Sequence, residues 1–312
     1  MKILLVGGTG MIGAHAALHL KSLGHDITLA ARNAPRVPPE LAALPFIQGS
    51  YLDDNFSDND LAQFDALVFC AGNDIRHIPD DAHEVAHYRF ANVEGIPRFF
   101  ARARDAGIKV AVYLGSFYSQ AAPDLIETNY YVRSRYLADE GVRKLNSPTF
   151  RVSSLNAPIV VGSIPGLPVP FFDAYIKYAL GELDAIPVFA PPGGANCIST
   201  RSLSEAIAAA LTDGIPGKAY LVGDENLTYQ AYLQLYFDAV GRTEKIPVID
   251  AEHPLLPDAT LFAGRGRTVF YEPKISDLEN LGYRRNDIRT AVNDLVSDYQ
   301  ARQSRVFTRA AF

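Results

Sequence analysis

Short, continuous apolar runs alternate with amphipathic stretches along the first 160 residues of the chain. Such runs are typical of strands that are covered on both faces of a parallel sheet. In the stretch 11–23, apolar residues recur at spacings of three and four, as they do on one face of a helix. The predicted strands are 2–6, 26–31, 45–48, 66–70, 109–114 and 149–153, and the predicted helices are 11–23, 82–106 and 130–145.

Strands that alternate with helices imply a doubly wound α/β fold, which we predict for residues 1–161. The chain changes character after Gly162, where proline and glycine become frequent and helices are predicted at 172–183, 203–211, 228–240 and 287–302. A strand at 219–222 is predicted to extend the main sheet, so that segments near 195–225 return to the first domain. The remainder of 162–312 is predicted to form a smaller, discontinuous lobe above the carboxyl ends of the strands, where open parallel sheets bind ligands.

Composition narrows the class of protein. The 312 residues carry 29 basic and 35 acidic side chains, a net charge of −6, which gives no general attraction to nucleic acid or anionic lipid. The longest apolar stretches fall far short of the roughly 20 residues that span a bilayer. Two cysteines cannot form a disulfide framework, and the seven histidines show no metal-ligand spacing. We therefore expect a cytoplasmic globular protein with no metal, no membrane span and no nucleic-acid partner.

The sharpest chemical signal lies in the first 20 residues, KILLVGGTGMIGAHAALHL. A predicted strand ends at Val6, and a glycine triplet then leads into a predicted helix. Glycine is needed where the chain turns tightly and a pyrophosphate approaches bare backbone, and the helix N-terminus attracts the phosphates. A glycine triplet alone would also fit an ordinary turn, but its position between strand and helix favours a dinucleotide-binding loop. We assign that loop to Gly7, Thr9, Gly10, Met11, Ile12 and Gly13.

The residues after the second strand indicate which dinucleotide binds. An acid about 20 positions after the glycines would bind the ribose 2′-hydroxyl of NAD(H), whereas an arginine accommodates the 2′-phosphate of NADP(H). Arg32 lies 19 residues after Gly13, no acid lies between Ile27 and Arg36, and Asn33 and Arg36 add donors. An arginine at this place is often simply solvated. The missing acid nevertheless favours NADP(H), with NAD(H) as the alternative.

These features together resemble the extended short-chain dehydrogenase/reductase family, which includes nucleotide-sugar epimerases, dihydroflavonol reductases and 3β-hydroxysteroid dehydrogenases. Residues 7–13 match the family's glycine loop, and residues 49–53 resemble its adenine-side GDxxD stretch, with Ser50 in place of the usual acid. Residues 70–72 resemble the turn after the fourth strand, and 153–162 the segment that meets the nicotinamide. The resemblance implies cofactor contacts from Tyr51, Leu52, Cys70, Ala71, Gly72, Asn92, Pro158, Ile159 and Val160.

The same resemblance implies a catalytic serine, a tyrosine, and a lysine four residues after the tyrosine. Ser116 and Tyr131 occupy the first two positions, and Arg135 replaces the lysine. A tyrosine hydroxyl, with a free pKa of about 10, must exchange a proton near neutral pH, and a fixed cation lowers that pKa. Residues four apart share a helix face, so tyrosine and cation can act together.

The arginine leaves alternatives open, because its planar fork is larger than an ammonium group. The site either works with arginine or has weakened or lost its catalysis. The helix of 130–145 could also be an ordinary amphipathic helix with one buried tyrosine and an exposed arginine. A second pair, Tyr130 and Ser134, has the same spacing but no cation. We predict that Ser116 and Tyr131 are catalytic and that Arg135 supports them.

The substrate is the least determined part of the prediction. Phe117 and Tyr118 follow Ser116, where sugar dehydratases of the family carry an Asp-Glu pair. Aromatic residues at 171–178 would suit an apolar substrate, although they could equally pack the smaller lobe. Arg265 and Arg267 could still bind a phosphate.

We therefore favour an NADP(H)-dependent oxidoreductase that acts on a carbonyl or alcohol of a small, largely apolar molecule. The alternatives are a nucleotide-sugar epimerase or dehydratase that holds its cofactor tightly, and a non-catalytic NADP-binding regulator. Family members often pair the helices predicted here at 82–106 and 130–145, so a homodimer is possible.

Overall fold

A seven-stranded parallel sheet lies at the centre of the protein. The computed structural model describes residues 1–35, 37–53 and 55–310, with side chains up to residue 304. The strands are β1 Lys2–Val6, β2 Asp26–Ala31, β3 Phe46–Gln48, β4 Ala66–Phe69, β5 Val110–Ser116, β6 Arg151–Ala157, β7 Ile159–Val161, β8 Gly194–Ser199, β9 Ala219–Leu221, β10 Glu225–Thr228 and β11 Thr268–Val269. The main sheet has the order β3-β2-β1-β4-β5-β6-β9, and every neighbouring pair is parallel. This order confirms the predicted doubly wound, Rossmann-type fold.

Helices pack on both faces of this sheet and form a further layer in the C-terminal part of the chain. They are α1 Met11–Ser22, α2 Pro39–Ala42, α3 Asp58–Leu61, α4 Glu84–Tyr88, α5 Ile96–Asp105, α6 Tyr118–Ala121, α7 Leu125–Thr128, α8 Tyr130–Arg143, α9 Pro170–Leu180, α10 Thr200–Asp213, α11 Tyr229–Ala239, α12 Ile275–Leu281 and α13 Ile288–Ala310. One apolar core joins α1 and α10 to one face of the sheet, and a second joins α5 and α8 to the other. A third core unites α9, α11 and α13. None of the helices in the described ranges is long and apolar enough to cross a bilayer.

The predicted strand boundaries are least accurate at the ends that matter for function. The strand predicted at 109–114 continues to Ser116, and the one predicted at 149–153 runs from Arg151 to Ala157. The extra residues pair β5 with β6 in register, Gly115 opposite Asn156 and Ser116 opposite Ala157. Backbone pairing therefore holds small and polar residues in the sheet where the apolar pattern has already ended.

A second sheet is built around β8, in a segment that the proline and glycine content predicted as irregular. β10 pairs antiparallel with β8, while β7 and β11 pair parallel with it. β8 reads Gly-Ala-Asn-Cys-Ile-Ser and every one of its residues is buried. Its polar member, Asn196, is satisfied by donation to Asn226 and to the carbonyl of Tyr271. The prediction of irregular chain here was wrong because this buried strand is made of small and polar residues.

The helix predicted at 82–106 is helical but not uniform. α4 passes into a π-helical segment, Arg89–Gly95, and this segment continues into α5. Gly95 lets the segment pack closely, because a β-carbon there would lie 2.5 Å from the side chain of Leu52. Wide helical turns of this kind are frequent at functional sites.

Candidate active site

The carboxyl ends of β1 and β4 form the crevice at which the strand order reverses, the usual ligand site of such sheets. Gly7 follows β1 in a left-handed conformation (φ 82°), and its N–H donates to the carbonyl of Ala30 over 2.8 Å. A β-carbon on Gly7 would lie 2.9 Å from the backbone nitrogen of Ala71. The glycine loop and the turn after β4 therefore touch through bare backbone.

The glycines of the loop differ in how much room the fold leaves for a side chain. A β-carbon on Gly13 would lie 2.3 Å from the carbonyl oxygen of Gly7, so the fold itself excludes a side chain there. A β-carbon on Gly10 would meet that oxygen only at an ordinary 3.6 Å. α1 begins at Met11 without an acidic residue in its first turn and without a side-chain cap. Its N-terminal N–H groups are thus free to bind an anion, and the loop fits the pyrophosphate of a dinucleotide.

The end of β2 presents donors to solvent. Arg32 and Asn33 are both exposed, and Gln48 donates to the carbonyl of Arg32 over 3.0 Å. Within the described ranges no carboxylate lies at ion-pair distance from the Arg32 guanidinium. Arg36, the third predicted donor, lies outside the described residues.

The predicted adenine side is packed against the end of β4. Tyr51 is buried, and its ring meets the ring of Phe69 edge to face with the ring centres 5.0 Å apart. Its hydroxyl accepts a hydrogen bond of 2.6 Å from the side-chain amide of Asn73. Leu52 is half-buried next to Gly95. Burial raises the pKa of the Cys70 thiol to about 12, so this side chain is a neutral, small packing group.

Asn92 is fully buried and connects the turn after β4 to α8. Its side chain accepts from the N–H of Asn73 at 3.2 Å and donates to the carbonyl of Asn73 at 3.0 Å. It also donates to the Ser134 hydroxyl at 3.0 Å, and that hydroxyl donates to the carbonyl of Tyr131 at 2.8 Å. Asn92 thereby orients the turn and the helix; direct contact with a cofactor stays a prediction.

Ser116 and Tyr131 lie at the same edge of the sheet. Ser116 is the last residue of β5, Tyr131 is in the first turn of α8, and each is 8% exposed. Among the described residues, the hydroxyls of Tyr88 and Tyr113 are fully enclosed and have no hydrogen-bond partner. The hydroxyls of Ser116 and Tyr131 do not belong to this enclosed, unpartnered group. Tyr130, the competing tyrosine, is 52% exposed. The α8 helix therefore turns Tyr131 and not Tyr130 into the protein.

Arg135 is buried, in contrast to the exposed arginine of an ordinary amphipathic helix. Its Nη2 donates to the carbonyl of Leu114 at 2.7 Å, and its Cζ lies 5.7 Å from the ring centre of Tyr113. Burial acts to lower the pKa of Arg135, but the hydroxyls of Tyr113 and Tyr131 act to raise it, and the net direction is upward. The Arg135 guanidinium therefore places a permanent positive charge near Tyr131, between the ends of β4 and β5.

Pro158, Ile159 and Val160 lie where the main sheet passes into the second sheet. Pro158 separates β6 from β7, and Ile159 pairs with Cys197 of β8. Ile159 is half-buried and packs against the apolar cluster that contains Tyr131. These positions stay predictions for contact with a nicotinamide.

The aromatic residues that the sequence suggested at 171–178 lie mostly in the core of the C-terminal part of the chain. Phe172, Tyr175 and Tyr178 are buried in the core of α9, α11 and α13. Phe171 is half-buried, and the Cζ atom of Arg76 lies 5.7 Å from the centre of its ring. Another aromatic group surrounds Tyr131; the sequence pointed to Phe117 and Tyr118, but the members from distant parts of the chain were missed. It comprises Tyr88, Phe117, Tyr118, Phe262 and Tyr271.

Both arginines that could have bound a phosphate are engaged in ion pairs. Arg267 forms two hydrogen bonds with the carboxylate of Asp124, at 2.6 and 2.7 Å. Arg265 lies 3.3 Å from Asp258 and 3.4 Å from Asp250. Binding of a diphosphate by these arginines would require those pairs to break.

Fold and site together define a dinucleotide-binding α/β protein with a serine and a tyrosine hydroxyl at the carboxyl edge of its sheet. The chain belongs to the NAD dependent epimerase/dehydratase family, whose sequence model matches residues 3–179. This membership confirms the predicted resemblance to the extended short-chain dehydrogenase/reductases, a family of NAD(P)-dependent enzymes.

Two proteins are similar to this chain in sequence, and a solved structure is similar to it in fold. A UDP-glucose 4-epimerase of Pasteurella multocida is 23% identical over 61% of this chain and 64% of its own length, so the chain spans less than two thirds of it. A putative dihydroflavonol 4-reductase of Synechocystis is 24% identical over 73% of this chain and 69% of its own length. A UDP-glucose 4-epimerase structure from Stenotrophomonas maltophila, solved with bound NAD, has a TM-score of 0.73 at 18% identity and covers 98% of this chain and 99% of its own.

Proposed function

We propose that the protein is an NADP(H)-dependent oxidoreductase that reduces a carbonyl, or oxidises the corresponding alcohol, of a small and largely apolar molecule. The observation that carries this proposal is the placement of Ser116 and Tyr131. Both residues lie at the carboxyl edge of the sheet, Tyr131 belongs to an aromatic cluster, and the buried cation of Arg135 lies one helical turn beyond Tyr131. This combination suits proton transfer to an uncharged substrate oxygen.

Each of the named residues has a separate role in the proposed reaction. The glycine loop and Arg32 would hold the dinucleotide, which supplies or accepts the hydride when bound. Ser116 Oγ donates a hydrogen bond to the substrate oxygen and holds it in place. Tyr131 Oη gives its proton to that oxygen during reduction, or takes it during oxidation, and the Arg135 cation supports the site from the same face of α8.

The test is the oxidation of NADPH, followed by its absorbance, against a panel of aliphatic and aromatic aldehydes and ketones. We expect turnover with at least one apolar carbonyl compound and a lower KM for NADPH than for NADH. Binding of NADPH without turnover of any compound, in either direction, would contradict the proposal and support the non-catalytic regulator.

A second candidate, a nucleotide-sugar epimerase, is favoured by the relatives named above. An epimerase must retain its reduced intermediate, so its cofactor should remain bound through gel filtration. The ion pairs of Arg265 and Arg267 argue against an epimerase, because these are the two arginines that the sequence suggested for binding a diphosphate. Cofactor that exchanges freely with added NADPH would exclude the epimerase.

A further inference from the structure

A turn from the C-terminal part of the chain packs onto the proposed proton donor. Residues 261–267, here called the flap, follow a short 3-10 helix, Asp258–Thr260. The ring of Phe262 lies face to face with the ring of Tyr131, with ring centres 4.0 Å apart and an interplanar angle of 18°. Tyr131 thus has an aromatic neighbour 131 positions away in the sequence.

Two more rings complete the enclosure. Tyr88 meets Tyr131 edge to face at 5.6 Å, and Tyr118 meets Phe262 edge to face at 5.9 Å. Edge-to-face and offset stacked rings attract each other with a preferred geometry, so they restrict tilt as well as position. The Tyr131 ring is therefore held by Phe262 on its face and by Tyr88 from a second direction, while its hydroxyl stays available.

The flap is fixed to the helix that carries Tyr131. Asn129 caps α8 by accepting a hydrogen bond of 3.1 Å from the N–H of Val132, and the same side chain donates to the carbonyl of Phe262 at 3.2 Å. Arg267, at the other end of the flap, is held by Asp124, just before α7. Bonds to Arg267 lower the pKa of the Asp124 carboxyl, so this pair stays charged at neutral pH.

We propose that Phe262 is a positioning residue, which sets the orientation of the Tyr131 ring and so aims its hydroxyl at the reacting oxygen. Proton transfer requires the phenol oxygen within hydrogen-bond reach of the substrate, and small misplacements of a reacting group cost large factors in rate. The C-terminal part of the chain thereby contributes to the chemistry as well as to substrate binding. This inference rests on the proposed function of Tyr131.

The test combines kinetics with fluorine NMR of protein labelled with 3-fluorotyrosine. The signal of residue 131 is identified as the one that disappears in Tyr131→Phe. Phe262→Leu removes the ring and keeps an apolar side chain, whereas Phe262→Tyr keeps an aromatic ring at this position. Phe270→Leu is the matched control, because Phe270 lies three residues beyond the flap and is 42% exposed.

We expect Phe262→Leu to shift the signal of residue 131 and to lower kcat roughly ten- to a hundredfold, with little change in the affinity for NADPH. Phe262→Tyr should keep a kcat close to that of the parent protein. Phe270→Leu should change neither the signal of residue 131 nor kcat. An unmoved signal in Phe262→Leu would overturn the contact, and a moved signal with unchanged kcat would overturn the positioning role. If the parent protein reduces no carbonyl compound but the signal moves as expected, the proposed function fails while the contact stands.

Discussion

The guanidinium of Arg135 packs directly against the backbone of Gly72: a β-carbon on Gly72 would lie 2.2 Å from Nη1 and 2.8 Å from Cζ. The other end of the guanidinium is fixed by the bond to the carbonyl of Leu114. A side chain at position 72 would therefore collide with the guanidinium, which is held in place from the other side. Glycine at 72 and arginine at 135 depend on each other.

This relationship predicts that Gly72→Ala displaces Arg135 and lowers both turnover and NADPH affinity. The double variant with Arg135→Lys should recover much of the loss, because the lysine side chain has no planar fork to collide with the new methyl group. Arg135→Lys alone should keep or gain activity. The measurement is kcat and NADPH affinity for the three variants. Unchanged values in Gly72→Ala would show that the cation has no part in the site.

The two adjacent tyrosines of α8 provide a matched test of the proton donor. Tyr131→Phe should lose roughly 10²–10⁴-fold in turnover and still bind NADPH, since a positioned proton donor is typically worth that much. Tyr130→Phe should be neutral, because Tyr130 is 52% exposed. Equal turnover in Tyr131→Phe and the parent would remove Tyr131 from the mechanism.

The glycine loop gives a second matched pair. Gly10→Ala should leave the thermal unfolding temperature nearly unchanged and weaken NADPH binding, because the new β-carbon meets the protein at an ordinary distance but faces the predicted pyrophosphate. Gly13→Ala should lower the unfolding temperature as well, since its β-carbon would overlap the Gly7 carbonyl. Calorimetry and cofactor titration separate the two effects. Gly10→Ala with parental affinity would contradict the assignment of the loop.

Much of the main sheet could be predicted because its strands are continuous apolar runs. The glycine loop was recognisable because a glycine triplet between a strand and a helix is typical of dinucleotide binding. The same reasoning failed for β8, where buried small and polar residues are held by pairing with three other strands. It also could not find Phe262, because contacts between residues distant in sequence depend on the path of the whole chain. The resemblance to the family pattern pointed to Tyr131 and Arg135, and a spacing of four residues predicted that they share one face of α8.

Exposed apolar residues on the helices next to the site bear on assembly. Phe90, in the π-helical segment, is 47% exposed, and Leu137, on α8, is 39% exposed. If these helices pair in a homodimer, Phe90→Glu with Leu137→Glu should produce a monomer in sedimentation, whereas Ile275→Glu, at a 74% exposed residue elsewhere, should not change the assembly. A parent protein that sediments as a monomer at micromolar concentration would end this expectation.

Cofactor choice depends on Arg32, whose guanidinium is exposed at the end of β2. Arg32→Asp should weaken NADPH roughly 10- to 100-fold, the effect of about 1.5–3 kcal/mol for a lost hydrogen bond to a charged group. NADH should be unaffected or bind more tightly, because a carboxylate can accept from the ribose 2′-hydroxyl. Lys21→Asp is the control, since it changes the net charge equally at the far end of α1. Parallel titrations with both cofactors decide the matter: if Arg32→Asp weakens NADPH and NADH equally, Arg32 does not bind a 2′-phosphate.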